Sequence, residues 1–298
     1  MPLIHCSLGI IVYNEAGNIA KLLRSLQNQK LEKVVIDKII VVSSACTDGT
    51  DDIVRQFAAE DEKIELLAEP ERRGKSAAIN SFISKADSEI LIIESGDTIP
   101  ALDTVEKMAG IFADKRIGMS GGRPVPENCA CNAIGKAVQL LWDLHHRMAL
   151  KSPKLGEMVA FRNIIRAIPE KSAVDEASIE AMIMEQGLEL RYLPDALVYN
   201  KGPENWREFI SQRRRIASGH IWLSEQQEYK VASQNGGLLL QLAIDQVMRK
   251  PYDLPYIIMI AAVEVYSRFL GWWDLKVLKK NPFKWEIAKT TKKMQRFE

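Results

Sequence analysis

Cysteine is scarce in this sequence of 298 residues, which contains only Cys6, Cys46, Cys129 and Cys131. Cys129 and Cys131 are separated by one residue, which is the wrong spacing for a zinc knuckle, and no second Cys or His pair lies at a fitting distance along the chain. We therefore expect free thiols in a reducing compartment, and neither a disulfide framework nor a structural zinc site.

Several binding and targeting patterns are also missing. No Gly-x-x-x-x-Gly-Lys-Ser/Thr occurs, and no Gly-x-Gly-x-x-Gly follows the first apolar run, which argues against a P-loop and a dinucleotide Rossmann site. The N-terminus has no basic region followed by a long apolar run and a small-residue cleavage site, so we expect no secretory signal and a cytoplasmic location. The formal net charge of +1 argues neither for nor against nucleic acid, and we expect none among the partners.

Strand and helix patterns alternate in the first third of the chain. Four short, mainly apolar runs typical of strands lie at residues 8–12, 39–42, 64–67 and 90–93, and the run at 90–93 is typical of a strand buried on both faces. Apolar residues at helical spacing follow each run, as the leucines and isoleucine between positions 19 and 26 illustrate. This alternation predicts βαβ units, and hence an α/β fold with a mostly parallel central sheet flanked by helices.

The pattern loosens after Gly121-Gly122. Helices are predicted over residues 133–150, after residues 172–176 and over residues 206–222, and short strands are predicted at residues 157–161, 190–193 and 196–199.

An apolar run at residues 254–273 is close to the length of a membrane span. Glu264, Ser267, Arg268 and Gly271 recur along it at helical spacing and form a polar stripe. Because a charged side chain at mid-bilayer costs on the order of 3 kcal/mol, we expect this helix to lie in the membrane interface or to pack against the protein, with a membrane span as the alternative. The tail from Lys276 onward is basic and suits an anionic cytoplasmic membrane face, with a solvated tail as the alternative.

The fourth apolar run ends in Glu94-Ser95-Gly96-Asp97. Ligands of open α/β sheets bind outside the carboxyl ends of the strands, where a carboxylate such as Asp97 can hold a divalent cation. The alternative is that Asp97 only caps a following helix. Two other runs end in the polar loops that begin at Tyr13 and Ser43, and these should meet at the same edge.

Arg73-Gly74-Lys75 opens a predicted helix. Backbone N–H groups and a cation at a helix N-terminus favour an anion such as phosphate. A carboxylate–metal site beside a phosphate site is typical of a nucleotide-diphosphate pocket.

Six motifs in order resemble family 2 glycosyltransferases of the GT-A fold. They are Tyr13-Asn14-Glu15, Ser43 to Thr50, Gly74-Lys75-Ser76-Ala77-Ala78-Ile79-Asn80, Ser95-Gly96-Asp97, Asp175-Glu176 and Gln212-Arg213-Arg214-Arg215-Ile216. The resemblance covers about residues 7–222. We therefore place a catalytic domain at residues 1–230, and a helical, membrane-peripheral C-terminal extension with a basic tail at residues 231–298.

The resemblance implies a site for a UDP- or GDP-linked sugar. The residues implied to hold the nucleotide sugar are Tyr13, Glu15, Ser43, Arg73, Lys75, Ser95, Gln212 and Arg215. Lys75 and Arg73 would face the pyrophosphate, and Gln212 and Arg215 would line the pyrophosphate or the acceptor side. Asp97 would bind a divalent cation, Mn²⁺ or Mg²⁺, that acts as a Lewis acid on the leaving nucleotide.

The resemblance also implies the chemistry at the acceptor. Asp175 or Glu176 would take the proton from an acceptor hydroxyl as general base, and counting back from Gly187 places Glu176 at the family's catalytic Asp. Direct displacement would invert the anomeric carbon. The acceptor would be a saccharide or a lipid-linked molecule, attacked through a hydroxyl or a lipid phosphate.

Four positions depart from the family pattern. Glu176 replaces the catalytic Asp, and its extra methylene changes the reach of the carboxylate. Ser95 replaces the first Asp of Asp-x-Asp, so we expect a weaker metal site. Ser43 replaces the Asp that meets the base of the nucleotide, and Ile216 replaces the final Trp of the last motif.

Two other functions stay open. A sugar-1-phosphate nucleotidylyltransferase would share the sheet, but residues 13–18 lack its Gly-rich, Arg-containing loop. A degenerate, non-catalytic relative would bind a partner or a membrane through the C-terminal helices.

Overall fold

The computed structural model describes residues 2–227, 229–280, 283, 288–292 and 294. The strands of these residues are β1 (Ile4–Val12), β2 (Val34–Ser44), β3 (Ile64–Glu69), β4 (Ile90–Ser95), β5 (Thr98–Pro100), β6 (Ile117–Pro126), β7 (Met158–Arg162) and β8 (Glu189–Asn200). The α-helices are α1 (Ile19–Gln27), α2 (Thr50–Glu60), α3 (Lys75–Lys85), α4 (Thr104–Gly110), α5 (Ala133–Lys151), α6 (Asp175–Glu185), α7 (Trp206–Gln226), α8 (Gly236–Arg249) and α9 (Leu254–Lys276).

The strands form one sheet in the order β3-β2-β1-β4-β7-β6-β8-β5. The pairs β1–β2, β1–β4, β2–β3 and β6–β8 are parallel. Strand β7 runs antiparallel between β4 and β6, and β5 pairs antiparallel with β8. The expected α/β fold with a mostly parallel sheet is confirmed.

Strand β4 is buried on both faces, as its unbroken run of branched residues predicts. Ile90 and Ile92 pack in one hydrophobic cluster with the helices on one side of the sheet. Leu91 and Ile93 pack in a second cluster on the other side, which includes Phe82 of α3. Because successive side chains of a strand point to opposite faces, this division shows that helices cover both faces of the sheet.

The sequence prediction missed β5, β6 and α8, and divided β8 into two strands. Strand β5 ends in Pro100 and lies at the edge of the sheet, where the missing N–H of proline is tolerated. Strand β6 contains Gly121 and Gly122 in place of a continuous apolar run. The pairing of β8 with β6 shifts between Tyr192 and Leu197, which explains why this segment resembled two strands.

Helix α9 buries its polar stripe against α7. Glu264 binds Arg213 of α7, and Ser267 is fully buried. A Cβ on Gly271 would lie 2.7 Å from the carbonyl oxygen of Arg214, so only glycine allows this close helix packing. The polar stripe of α9 therefore packs against α7.

The opposite face of α9 is apolar and exposed, as Val265, Phe269, Trp272 and Trp273 show. Within the part of the chain that the structure describes, residues 251–276 form the one helix long and apolar enough to cross a membrane. The basic-tail prediction falls partly on Lys284, Lys293 and Arg296, which lie outside the described residues.

Candidate active site

Hydrogen bonds join the loops that follow β1 and β2. The side-chain oxygen of Asn14 accepts a hydrogen bond from the Thr47 backbone N–H at 2.8 Å. The backbone N–H of Ala16 donates to Asp48 at 3.0 Å, and that of Glu15 donates to the Thr50 hydroxyl at 2.9 Å. The polar motif after β2 thus holds the loop after β1 in place.

Gly96 brings the loop after β4 into contact with the loop after β1. A Cβ at this position would lie 2.7 Å from Cγ1 of Val12 and 2.8 Å from Cγ of Glu15, so no larger residue fits. The approach places the Asp97 carboxylate near Glu15, whose pKa is raised to about 7 by burial and by the Asp97 charge. Asp97 precedes β5, so it does not cap a helix.

A cavity of about 850 Å³ lies at this edge of the sheet and extends between the C-terminal helices. Most of the side chains that the sequence singled out line it. They are Tyr13, Glu15, Lys75, Ser95, Asp97, Asp175, Glu176, Gln212 and Arg215. The structure therefore brings together residues from five separate parts of the chain.

Ser43 and Arg73 lie outside the cavity lining, contrary to the sequence expectation. Ser43 is fully buried and its hydroxyl donates to Asp51 at 2.5 Å. Arg73 turns away to Glu69, at 2.7 Å.

Their neighbours Ser44 and Arg72 line the cavity instead. The guanidinium of Arg72 stacks over the ring of Tyr13, 4.1 Å from the ring centroid. A motif does not fix which of two adjacent side chains faces a cavity.

Lys75 connects the first turn of α3 with the first turn of α6. Its ammonium nitrogen lies 2.6 Å from Oε1 of Glu176 and 3.8 Å from Oδ2 of Asp175. Burial alone would raise the pKa of Glu176, but the Lys75 charge lowers it overall. Burial raises the pKa of Asp175, whose Oδ1 accepts a hydrogen bond from the Ser76 hydroxyl.

Glu157 is a further carboxylate in the cavity, at a position beside Gly156 where the family resemblance implies an acceptor loop, although it was assigned no role from the sequence. Its φ of 62° is strained for a residue other than glycine, which is a frequent feature of functional positions. Burial, followed by the charges of Asp97 and Glu176, raises its pKa to about 7. A positive φ cannot be recognised from a Gly-Glu pair in the sequence.

The donor set suits a nucleotide-associated cation better than a cation held by protein alone. Among the described residues, no three His, Cys, Asp or Glu side chains are arranged to hold a metal ion. A Mg²⁺-type ion is held by one or two carboxylates together with substrate phosphates, and Asp97 on the cavity wall fits that requirement. Burial first, and then the Asp97 charge, raise the pKa values of Glu15 and Glu157, so three acidic side chains lie close together here.

Lys292 reaches the site from the C-terminal segment, and no motif in the sequence predicts this. Its ammonium group forms an ion pair with Glu15 and donates to the backbone oxygen of Tyr13 at 3.2 Å. A lysine in a basic tail carries no signal that distinguishes it from a solvated one.

Residues 7–170 match the family model described as "Glycosyl transferase family 2". Glycosyltransferase AglE of Haloferax volcanii is 34% identical over 116 residues, which are 39% of this chain and 38% of that protein. The probable glycosyltransferase YdaM of Bacillus subtilis is 25% identical over 238 residues, which are 73% of this chain and 55% of that protein. The chain thus matches less than two thirds of the length of either relative.

Solved structures share the fold. The mannosyltransferase PcManGT from Pyrobaculum calidifontis, in complex with GDP-Man and Mn²⁺, superposes with a TM-score of 0.61 at 21% identity, covering 94% of this chain and 81% of that one. Glucosyl-3-phosphoglycerate synthase from Mycobacterium tuberculosis, in complex with Mn²⁺, UDP and phosphoglyceric acid, gives a TM-score of 0.51 at 16% identity, covering 74% and 78%. These similarities confirm the GT-A fold.

Proposed function

The chain belongs to glycosyl transferase family 2, whose model matches more than half of it, and we propose that it transfers a sugar from a UDP- or GDP-linked donor to an acceptor. The observation that carries the proposal is the convergence of five chain segments on one cavity. Cationic Lys75, carboxylate Asp97 and aromatic Tyr13 lie together there, which is the combination a nucleoside diphosphate requires. The relatives named above are glycosyltransferases, and PcManGT was solved with GDP-Man.

Roles follow from the positions of the side chains. Tyr13, with Arg72 stacked on it, would hold the nucleoside, and Lys75 at the start of α3 would face the pyrophosphate. Arg215 of α7 lies close enough to Asp175 and Glu176 for their charges to interact, and Gln212 of the same helix also lines the cavity. Both would line the pyrophosphate or the acceptor side.

Asp97 would hold a divalent cation, Mn²⁺ or Mg²⁺, together with the donor phosphates. When bound, such a cation supplies Lewis-acid stabilisation of the nucleotide that leaves. Ser95 occupies the place of a second carboxylate, so we propose that the cation binds weakly without the donor.

We propose direct displacement with inversion. An acceptor oxygen forms a bond to the anomeric carbon as the bond from that carbon to the nucleotide oxygen breaks, and the nucleoside diphosphate leaves with the electron pair. A hydroxyl acceptor must also lose its proton, which Asp175 or Glu176 would accept.

The catalytic unit would comprise residues 1–230, and residues 231–298 would attach it to the cytoplasmic face of a membrane. The exposed aromatic side chains of Phe269, Trp272 and Trp273 on α9 support this proposal, since they suit the lipid headgroup boundary.

A donor screen scored by nucleotide release tests the proposed function. Thermal-shift titration with UDP and GDP, each with and without Mn²⁺, shows first whether the site binds a nucleotide. We expect Mn²⁺-dependent stabilisation by one of the two, followed by release of that nucleotide from its sugar-linked form. Stabilisation without metal dependence and without turnover would favour a non-catalytic relative, and pyrophosphate release from a nucleoside triphosphate would favour a nucleotidylyltransferase.

A further inference from the structure

The cavity extends beyond the proposed donor site into an apolar part between three helices. Helix α5 contributes Val138 and Leu141 to its wall, α8 contributes Leu239 and Ala243, and α9 contributes Ile257 and Ala261. Each pair is spaced by three or four residues, so each helix turns one apolar stripe towards the same space. We call this part of the cavity the apolar lobe.

The apolar lobe opens onto the exposed apolar surface of α8 and α9. Leu240 and Val265 both line the cavity, yet they are 63% and 68% exposed. A molecule with a long apolar chain can therefore enter the cavity from that surface past Leu240 and Val265, which offer it apolar contacts.

A cationic cluster lies where the apolar lobe meets the proposed catalytic residues. The ammonium group of Lys154 donates to the Ser233 hydroxyl at 3.1 Å, and Arg268 donates to the Ser233 backbone oxygen at 3.1 Å. Arg213 and Arg268 share the carboxylate of Glu264, at 2.8 and 3.0 Å. Lys154, Arg213, Arg268 and Glu264 all line the cavity, so three cations face it beside one carboxylate in this cluster.

Two buried imidazoles, those of His145 and His220, lie close to this cluster. Burial, and then the charges of Lys154 and Arg213, lower the pKa of His145 to about 3 and that of His220 well below its usual value. Nδ1 of His145 is buried and has no hydrogen-bond partner among the described residues. His145 lines the cavity, so a polar group entering there would have an unused partner.

We propose that the apolar lobe and the cationic cluster form the acceptor site, and that the acceptor is a lipid phosphate. The chain would lie along α5, α8 and α9, and the phosphate would bind Lys154, Arg213 and Arg268. Along α9, the distance from Ile257 to Arg268 is about 16 Å at the rise of an α-helix, which gives the lobe room for an extended chain. The assignment rests on the proposed glycosyl transfer and names its acceptor.

Asp175 and Glu176 each have a hydrogen-bond partner in the protein, which fits an acceptor that needs no general base. Glu176 is bound to Lys75, and Asp175 is bound to Ser76. An anionic phosphate oxygen needs no deprotonation: it forms its bond to the anomeric carbon as the nucleoside diphosphate leaves, and no proton is transferred.

Binding of farnesyl phosphate to the full-length protein tests the proposal, with calorimetry below the critical micelle concentration as the measurement. We expect farnesyl phosphate to bind at least about tenfold more tightly than farnesol, and millimolar inorganic phosphate to bind only weakly, since both the chain and the charge contribute. Equal affinity for farnesol and farnesyl phosphate would overturn the role of the cationic cluster. Equal affinity for dihexanoyl phosphatidic acid would assign the lobe to a bulk membrane lipid and overturn its role as an acceptor site.

Two matched pairs of variants locate the binding site. Ala261→Trp fills the lobe, whereas Ala262→Trp places the same side chain on the neighbouring exposed position outside the cavity lining. Lys154→Met removes a cation from the cluster, whereas Lys151→Met removes an exposed one outside the lining. We expect Ala261→Trp and Lys154→Met to weaken farnesyl phosphate binding at least about tenfold, and their controls to leave it unchanged.

The experiments distinguish a failure of the acceptor assignment from a failure of the proposed function. If UDP or GDP stabilises the protein but farnesyl phosphate neither binds nor increases nucleotide release, the acceptor assignment fails while the donor site stands. If farnesyl phosphate binds as expected and neither nucleotide does, the proposed function fails. Should Ala261→Trp not fold, as judged by its circular dichroism, the wild-type comparison of farnesyl phosphate with farnesol still decides the proposal.

Discussion

The ammonium nitrogen of Lys75 lies 2.6 Å from Oε1 of Glu176, although the two residues are 101 positions apart in the chain. The pair joins the start of α3 to the start of α6. Without a donor, the cation proposed to face the pyrophosphate is thus occupied by a carboxylate. A nucleotide must compete with Glu176 for Lys75, so the two residues should affect donor binding in opposite directions.

Glu176→Gln should tighten binding of the nucleoside diphosphate, because it frees Lys75 from its charged partner. We expect a gain of about fivefold, or ~1 kcal/mol, in affinity for whichever of UDP and GDP binds. Lys75→Met should weaken the same affinity at least about tenfold, since it removes the cation. Calorimetric titration at fixed Mn²⁺ measures both.

Lys85→Met is the matched control for Lys75→Met, because Lys85 lies at the exposed end of the same helix. It should leave nucleotide affinity unchanged. Weaker binding in both Glu176→Gln and Lys75→Met would mean that the ion pair preorganises the site and does not compete with the donor.

Arg72→Ala and Arg73→Ala change two adjacent arginines, and we expect only Arg72→Ala to weaken nucleotide binding. Arg72 lines the cavity and stacks on Tyr13, so its loss should weaken UDP or GDP binding by about fivefold to tenfold. Arg73 pairs with Glu69 outside the cavity, and its loss should leave binding unchanged. Thermal-shift titration compares the two, and a larger effect from Arg73→Ala would restore the role that the sequence first suggested for it.

The part of the cavity at the sheet edge could be predicted from the sequence, because its residues follow apolar runs that indicate parallel strands. The carboxyl ends of parallel strands share one edge, so Tyr13 and Asp97 had to lie near each other. Side-chain direction could not be predicted in the same way. The sequence pointed to Ser43 and Arg73, whereas Ser44 and Arg72 line the cavity.

The apolar lobe could not be predicted, because it exists only through the packing of α8 and α9 against α5 and α7. Helix α8 itself was not recognised in the sequence. Glu264 and Arg268 were identified as a polar stripe, but the partner that this stripe packs against, Arg213 on α7, emerges only in the folded protein.

Asp97→Asn should abolish sugar transfer without lowering the thermal unfolding midpoint. The amide cannot neutralise a divalent cation, so activity is lost even at saturating Mn²⁺. Stability should hold because the Asp97 charge adds to burial in raising the pKa values of Glu15 and Glu157, so removing that charge relieves repulsion. Nucleotide release and calorimetric unfolding are the measurements.

Asp52→Asn, at an exposed position of α2, is the control for that experiment and should behave as wild type. Wild-type turnover in Asp97→Asn would remove the proposed metal role.

Replacing two aromatic residues on α9 should release the protein from membranes. Phe269 and Trp273 are 54% and 42% exposed, so the double variant Phe269→Glu/Trp273→Glu should fold normally and lose apolar contact with lipid. We expect its partition into phosphatidylglycerol–phosphatidylcholine vesicles to fall at least about tenfold in sedimentation assays. Leu102→Glu, at a residue 50% exposed between β5 and α4, controls for added charge, and equal sedimentation of all three proteins would refute the anchoring role of α9.

Binding of farnesyl phosphate should weaken as the pH rises through about 8. Burial, and then the charge of Arg213, lower the pKa of Lys154 to about 8, with Glu180 and Glu264 acting in the opposite direction and Arg268 in the same one. Lys154 is therefore charged below this pH and neutral above it, while a phosphate monoester stays doubly negative throughout. Because the bound phosphate favours charged Lys154, the dissociation constant should rise about tenfold between about pH 7.5 and about pH 9.5. Calorimetry on wild type and Lys154→Met across this pH range is the measurement. The variant should bind farnesyl phosphate weakly and independently of pH. An equally steep pH dependence in the variant would show that a group other than Lys154 carries the proton.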